Sequence, residues 1–327
     1  MSVQPLGFGL YGVNGHQIHG VLATHPDAVL VAVAAFSDEA YAQLPPSVRR
    51  YDSLDELLAD PKVQAVSLCS PYRRDQADDA IKSLRAGKHV YAEKPCALNE
   101  IDLDRIVCAA RETGLLFREM AGTAFGQPYY AMREIVASGI LGEIVQVISE
   151  KSYPYGDWRP QDEEIDGGLI AQNAIHAFRF IEHVADLRIK SVQAIETTLG
   201  NPVQGGGLRI ASALIAGLEN GGVASVAANY LNPKGTGVWG YESLRVLGTH
   251  GMIESTQGGQ QTRMVIGDQD LGPLETTTVP PDYLALFIQS AFGENVMPFN
   301  LEEELSPTRW VFRAKQSATV SSPLLRK

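Results

Sequence analysis

Leu6-Gly7-Phe8-Gly9-Leu10-Tyr11-Gly12-Val13-Asn14-Gly15-His16 is an apolar stretch that runs into a glycine-rich turn. A G-x-G-x-x-G pattern can be laid on Gly7, Gly9 and Gly12, but that register buries two of its glycines in a strand. A phosphate-binding turn works where a strand ends and a helix begins, because the helix N-terminus supplies N–H groups and a dipole. The productive register is therefore Gly12-Val13-Asn14-Gly15, with a helix expected from His16. Gly12 makes the sharp turn, Asn14 tolerates a positive φ, and Gly15 leaves room for a close ligand. No Asp, Glu, Lys or Arg occurs from Met1 to Pro26. A mononucleotide loop needs a lysine for the β/γ-phosphates, whereas a pyrophosphate resting on backbone N–H groups does not. The turn reads as a dinucleotide site; the competing reading is a plain glycine-rich turn.

Working outward, Val29–Phe36, Ala65–Cys69, His89–Tyr91 and Leu115–Glu119 are apolar runs of strand length. Helical patterns near Gly15–Thr24, Ser53–Ala59, Gln76–Ala86 and Glu100–Thr113 separate them. Short apolar strands alternating with helices predict a parallel sheet of βαβ units. After Gly122 the texture changes. Gln127–Ser138 and Leu169–Val184 read as helices, and Asp282–Phe292 and Leu301–Ala318 as closing helices. Glu143–Ser152, Ser191–Thr198, Leu208–Glu219, Gly222–Tyr230 and Glu242–Leu247 read as strands, with Asn220-Gly221 as a hairpin turn. The expected class is α/β followed by α+β, divided as 1–122 and 123–327.

Composition narrows the function. The 327 residues carry 27 Lys plus Arg against 38 Asp plus Glu, a net −11. Both halves are acidic, 12 basic to 16 acidic before Gly122 and 15 to 22 after it, so no acidic tail exists. Such a chain is not built for nucleic acid or for anionic lipid. Its longest apolar run, Ala28–Phe36, is far short of a membrane span. Met1-Ser2-Val3-Gln4-Pro5 has no cationic region of a secretory signal. Cys69, Cys96 and Cys108 form no CxxC pair, and no metal-ligand spacing or HExxH occurs. A cytoplasmic protein without a metal is expected.

The second strand should end at the group that reads the adenosine ribose. Asp38 follows Gly15 at the spacing expected of an acceptor for a 2′-hydroxyl, which favours NAD(H) by a small margin over NADP(H). Ser37 is the other candidate, and Ser37-Asp38 reads equally well as a helix N-cap.

Ala86-Gly87-Lys88-His89-Val90-Tyr91-Ala92-Glu93-Lys94-Pro95 carries the sharpest signal. Pro95 holds Lys94 extended and is a candidate cis proline. Lys94 then stands at the carboxyl edge of a parallel sheet, where open α/β folds bind ligands. With the turn at Gly12–Gly15, Ser70-Pro71, Ser138-Gly139-x-x-Gly142, Gly167-Gly168…His176 and Leu247-Gly248-x-x-Gly251, this segment resembles the glucose–fructose oxidoreductase, inositol dehydrogenase and rhizopine-catabolism (Gfo/Idh/MocA) family. The matching pieces occur in family order over most of the chain.

The resemblance implies an N-terminal Rossmann domain and a C-terminal domain with a large, open-faced, mostly antiparallel sheet that builds a homodimer or homotetramer. It implies an active site between the domains and oxidation or reduction of a hydroxyl or carbonyl on a sugar, polyol or related compound. The cofactor set it suggests is Gly12, Val13, Asn14, Gly15, His16, Ser37, Asp38, Ser70, Pro71, Asp75, Glu93, Lys94, Trp158 and Arg159.

Hydride transfer from a carbinol carbon needs a base for the hydroxyl proton and a cation near the developing alkoxide. Lys94, at the family's position, is the candidate for both. His176 matches a family acid/base or substrate ligand, and Gln172 stands one turn before it. On a regular helix Gln172, His176, Arg179 and His183 form one polar stripe, beside an apolar stripe of Ile170, Ala174, Ala177 and Ile181.

The chain departs from the family at several positions. Gln172 and Arg179 replace acids, Thr123-Ala124-Phe125 replaces the usual Asn-x-Arg stretch, and Asp75 replaces a histidine. Thr123, Phe125, Gln172, His176 and Arg179, with Lys94, are the expected substrate contacts. Two other readings remain: a cofactor-binding regulator, favoured by the acid lost at Gln172, and a glycosidase that uses NAD transiently.

Overall fold

The structure, a computed structural model, describes residues 4–321. Met1-Ser2-Val3, part of the stretch read as carrying no secretory signal, and the last six residues lie outside. The chain forms two compact units. The first comprises residues up to Ala121 with Glu164–Asp166 and Tyr283–Leu305; the second comprises Gly122–Glu163, Gly167–Asp282 and the chain from Ser306.

In the first unit the elements run β1 (Leu6–Tyr11), α1 (His19–Leu22), β2 (Ala28–Ala34), α2 (Asp38–Tyr41), β3 (Arg49–Tyr51), α3 (Leu54–Ala59), β4 (Ala65–Leu68), α4 (Gln76–Arg85), β5 (His89–Ala92), α5 (Glu100–Thr113) and β6 (Phe117–Glu119). The sheet order is β3-β2-β1-β4-β5-β6, and every pairing is parallel. The order reverses between β1 and β4, which opens a crevice at their carboxyl ends. Gly7 and Gly9 pair inside β1, so the rejected G-x-G-x-x-G register is a strand. The short α2 follows the Ser37 N-cap that the sequence offered as one reading, whereas β3 escaped it. Arg49-Arg50-Tyr51 has no apolar run, because β3 is an edge strand.

The second unit runs α6 (Tyr129–Ala137), β7 (Ile144–Ser152), then, beyond the short α7 (Glu163–Asp166), whose last three residues count in the first unit, a helical run to Val184. Only Ile175–Arg179 (α8) of that run is α-helical; Ile170–Ala174 and Phe180–Val184 are π turns. Strands β8 (Ile189–Thr197), β9 (Ala211–Leu218), β10 (Val223–Asn229), β11 (Tyr241–Gly248), β12 (Gly251–Thr256), β13 (Gln261–Ile266) and β14 (Gln269–Gly272) complete an eight-stranded sheet in the order β14-β13-β12-β11-β7-β10-β9-β8. Asn220-Gly221 turns the β9–β10 hairpin as expected, with Gly221 at φ 88°. The sheet is mostly antiparallel, but β7 and β10 run parallel. The helical run packs on one sheet face with β7 and β10; the other face exposes Ile148, Ile195, Ile215 and Val223. Helices α9 (Tyr283–Ala291) and α10 (Leu301–Ser321) close the chain.

The first unit buries an ionic cluster. Phe287 of α9 packs against Phe8 and Tyr91. Beside it the fully buried Glu304 accepts from the Tyr283 hydroxyl and from Glu119 N at 2.7 Å, with Arg118 Nε 3.3 Å away. Glu119 Oε1 in turn accepts from Cys96 N at 2.8 Å, next to Pro95. Burial pushes the Glu304 carboxyl up to about 7, against the pull of Arg118 and its hydrogen bonds. A raised carboxyl keeps its proton in the folded chain when the unfolded chain has lost it. Its contribution is therefore full below the ordinary glutamate range and falls as pH rises towards 7. Glu304→Gln is expected to remove roughly 2–3 kcal/mol of stability loss between about pH 5 and pH 8. Thermal unfolding of both proteins at the two pH values checks this; parallel pH profiles would show that Glu304 does not titrate there.

Candidate active site

Three turns follow the neighbouring strands β1, β4 and β5. Gly12 and Gly15 adopt φ of 70° and 126°. A Cβ on Gly12 would lie 2.2 Å from Cys69 O, so the β1 turn sits directly on the β4 turn. Asn14, expected at positive φ, does not adopt it; it is a clamp instead. Its Nδ2 donates to Pro71 O at 3.2 Å and to Ile165 O at 2.6 Å.

The helix expected from His16 begins only at His19 and has four residues. No helix N-terminus stands at the turn. Glu93 Oε2 instead takes the place an anion would occupy there, accepting from His16 N at 2.6 Å and lying 3.1 Å from His16 Nδ1. The room at Gly15 is also taken by the chain itself: a Cβ there would meet Glu93 Cγ at 2.6 Å. Gly15 is thus required by the Glu93 side chain that packs on it, where the sequence suggested a ligand. Burial by itself raises the Glu93 carboxyl, but the His16 hydrogen bond, Lys94 and Arg73 outweigh it and hold it at about 2.

Two buried residues that sequence reasoning missed tie the turns together. Arg73 donates from Nη2 to Asn14 O at 2.6 Å and from Nη1 to Gln76 Oε1. Gln76 Nε2 donates to Glu93 O at 2.6 Å and to Pro95 O at 3.2 Å, and its Oε1 accepts from Ser70 N at 3.3 Å. Both side chains are fully buried. Buried Arg and Gln so close to a turn are a possible signal only after the fold is known. Asp75, expected here, is exposed beside Arg74 at 3.7 Å. Ser70 turns its hydroxyl away, donating to Asp79 Oδ2 at 2.7 Å.

Lys94 ends this turn, 3% exposed, with Nζ 4.0 Å from Glu93 Oε1. The Lys94–Pro95 bond is cis, as the sequence suggested. Glu93 Oε1 is buried and without a hydrogen bond among the described residues. A buried acceptor beside an ammonium suits a ligand hydroxyl, so the turns fit a dinucleotide with ribose hydroxyls.

At the end of β2 the chain takes Ala35 through φ 56°, and Ser37 caps α2, accepting from Ala40 N at 3.2 Å. The N-cap reading of Ser37 holds. Asp38 Oδ1 accepts from Arg50 Nη1 at 2.6 Å, and Arg50 Nη2 donates to Phe36 O at 2.8 Å. Arg50, from the unpredicted β3, therefore shares the position that the sequence offered as the ribose reader.

In the second unit Gln172 and His176 are half-buried, and His176 Nδ1 lies 3.4 Å from Thr123 Oγ1. Arg179 and His183 are fully buried, so the four-residue polar stripe does not form. The π turns around α8 break the 3.6-residue spacing on which it rested. Phe125 is buried and faces the ring of Tyr130 at 6.5 Å. Trp158 is 67% exposed, and Arg159 beside it is buried. Among the described residues no group of three or more His, Cys, Asp or Glu could hold a metal, and no helix is long and apolar enough to cross a membrane.

The family profile described as an oxidoreductase family with an NAD-binding Rossmann fold matches residues 6–120. The profile described as a GFO/IDH/MocA C-terminal domain matches residues 129–254. A 1,5-anhydro-D-fructose reductase of Ensifer adhaerens is 28% identical over 289 residues, 84% of each chain. A myo-inositol 2-dehydrogenase of Thermotoga maritima is 24% identical over 277 residues, 82% of this chain and 79% of its own. The structure of an aldose-aldose oxidoreductase from Caulobacter crescentus, complexed with glycerol, superposes with a TM-score of 0.82 at 19% identity, covering 97% and 98% of the two chains. With its parallel six-stranded sheet, its Glu-Lys-Pro turn and both domain profiles matched, the chain belongs to the GFO/IDH/MocA family of NAD-binding oxidoreductases.

Proposed function

We propose that the protein transfers a hydride between a nicotinamide cofactor and a secondary hydroxyl or carbonyl of a sugar, polyol or related compound. The observation that carries this is Lys94, a buried lysine at the carboxyl end of β5 in the Glu-Lys-Pro turn. A bound nicotinamide cofactor supplies the hydride acceptor or donor. Lys94 Nζ takes the hydroxyl proton as the carbon is oxidised and returns it in the reverse direction. Its positive charge also stabilises the alkoxide as it develops. Glu93 orients Lys94 through its Oε1 and presents the same atom to a ribose hydroxyl. In the second unit His176 is the candidate ligand or acid/base for a substrate hydroxyl, with Gln172 one turn before it; a neutral amide orients an imidazole without adding charge. Turnover of a sugar and polyol panel by the wild-type chain, lost in Lys94→Met, tests the assignment. The proposal extends to a homodimer or homotetramer built on the apolar outer sheet face.

We propose that the pair Asp38–Arg50 selects NAD(H) over NADP(H). The Asp38 carboxylate is 86% exposed and free to accept a second hydrogen bond from a 2′-hydroxyl. It also neutralises Arg50, which would otherwise attract a 2′-phosphate. Asp38→Ala is expected to move the kcat/KM ratio about tenfold or more towards NADP(H), and Arg50→Leu to move it the other way. Steady-state kinetics with both cofactors checks this; ratios unchanged in both variants would remove the pair from selection.

A further inference from the structure

Strands β4 and β5 are parallel neighbours, so the turn after Leu68 and the turn after Ala92 lie side by side. Helix α4, which joins the two strands, begins at Gln76, and the Gln76 side chain is fully buried. Its amide is bonded at both ends. Nε2 donates to Glu93 O at 2.6 Å and to Pro95 O at 3.2 Å. Those two carbonyls flank Lys94 in the chain. Oε1 accepts from Ser70 N at 3.3 Å and from Arg73 Nη1. An amide carries two donors on nitrogen and two acceptor sites on oxygen, so its whole capacity is used.

The partners also fix which way the amide points. Two acceptors face the nitrogen and two donors face the oxygen, so a flipped amide would set like against like. No other type of side chain meets this demand. An ionised Glu only accepts, Lys and Arg only donate, and a neutral His has one donor and one acceptor. The far side of the turn has a support of its own, since Glu119 Oε1 accepts from Cys96 N at 2.8 Å. What Gln76 adds is a hold on the backbone immediately before and after Lys94. It thereby sets the direction in which the lysine leaves the chain to place Nζ 4.0 Å from Glu93 Oε1.

We propose that Gln76 is the positioning residue of Lys94: its amide, oriented by Arg73, sets where the ammonium stands for proton transfer. The inference rests on reading Lys94 as the proton-transfer group of an oxidoreductase. Displacing a reacting group by about 1 Å costs up to about 100-fold in rate with the chemistry unchanged.

Gln76→Glu is nearly isosteric and tests this directly. One oxygen of the new carboxyl keeps the acceptor for Ser70 N and Arg73. The other faces two carbonyl oxygens, which repel it unless it holds a proton and donates one bond. Buried there, the carboxyl keeps its proton at low pH and loses it as pH rises. The first readout needs no substrate. The full chain is labelled with ¹³C at the lysine ε-carbon, and the Lys94 signal is identified by its loss in Lys94→Met. In Gln76→Glu that signal is expected to stand off the wild-type position by more than its linewidth at about pH 9 and to return towards it at about pH 6. The second readout is turnover, with NAD⁺, of the sugars and polyols that wild type oxidises. In Gln76→Glu kcat is expected to be at least about tenfold below wild type at the higher pH and to approach it at the lower, while the NAD⁺ dissociation constant stays within about threefold. Gln76→Met has no donor at any pH. It is expected to show the displaced signal and the low kcat throughout, and it carries the test if Gln76→Glu does not fold. A Lys94 signal at the wild-type position, or a wild-type kcat, in the variant that folds would overturn the proposal. So would parallel losses of kcat and NAD⁺ affinity with the Lys94 signal unmoved, which assign Gln76 to the cofactor turns. A displaced signal in a chain whose wild type oxidises no member of the panel would end the oxidoreductase reading and leave Gln76 as the holder of Lys94.

Discussion

Lys94→Met lowers kcat by about 10³-fold while the dissociation constant for the cofactor stays within about threefold. That is the expected result of removing one proton-transfer group from a site that otherwise stays assembled. Methionine keeps the unbranched stem and approximate volume of lysine, so the buried slot remains filled. The turn around it is held by groups other than the ammonium: Gln76 Nε2 on Glu93 O and Pro95 O, and Glu119 Oε1 on Cys96 N. What is lost is the charge beside Glu93 and the proton that Nζ carries. Fluorescence titration of the cofactor and steady-state turnover on an identified substrate separate the two quantities. A variant that loses cofactor affinity and turnover together would mark Lys94 as a structural charge.

Arg73→Met has the largest expected effect on stability, about 3 kcal/mol or more, because it takes a buried cation from beside Glu93 and leaves Asn14 O and Gln76 Oε1 without their buried donor. Arg73 is one of the cations that hold the buried Glu93 carboxylate ionised. It also satisfies Asn14 O and orders Gln76, which grips the Glu93–Pro95 turn. The thermal midpoint is expected to fall by roughly 10 °C. Glu93→Gln in the same chain removes the carboxylate that Arg73 helps to keep ionised, so the double variant is expected to recover part of the loss. Thermal unfolding of the two single variants and the double variant forms the cycle. Additive losses would show that Arg73 and Glu93 do not interact.

The sheet of the first unit was legible because parallel strands are buried on both faces and appear as bare apolar runs, as in Leu6–Tyr11 and Ala65–Leu68. Edge strand β3 was not, since Arg49-Arg50-Tyr51 buries almost nothing. With β3 went Arg50, and with Arg50 half of the proposed selector. The strands β12 to β14 were missed for a related reason: their residues are mostly half-buried or exposed, and their pattern is weak. At the site, the turn glycines and Glu93-Lys94-Pro95 stood out in the sequence because backbone geometry restricts residue choice. Their supports did not. Arg73 and Gln76 look like surface helix residues until the fold brings Asn14, Ser70 and Glu93 around them. The polar stripe failed because a helical wheel assumes 3.6 residues per turn, and the run from Ile170 to Val184 is α-helical only in its middle third. Glu93 was placed only in the cofactor set; its bonds to His16 and its packing on Gly15 could not be inferred from spacing in sequence.

The central claim is that this chain moves a hydride to or from nicotinamide with Lys94 handling the proton. The direct measurement is the near-ultraviolet absorbance of reduced nicotinamide after the NAD⁺-loaded chain is mixed with a panel of sugars, polyols and sugar acids. The account predicts a rise with at least one member of the panel for wild type, and no rise over the same period for Lys94→Met carrying the same amount of bound cofactor. A rise in Lys94→Met as fast as in wild type, or none in wild type with NAD⁺ or NADP⁺ bound, would contradict it.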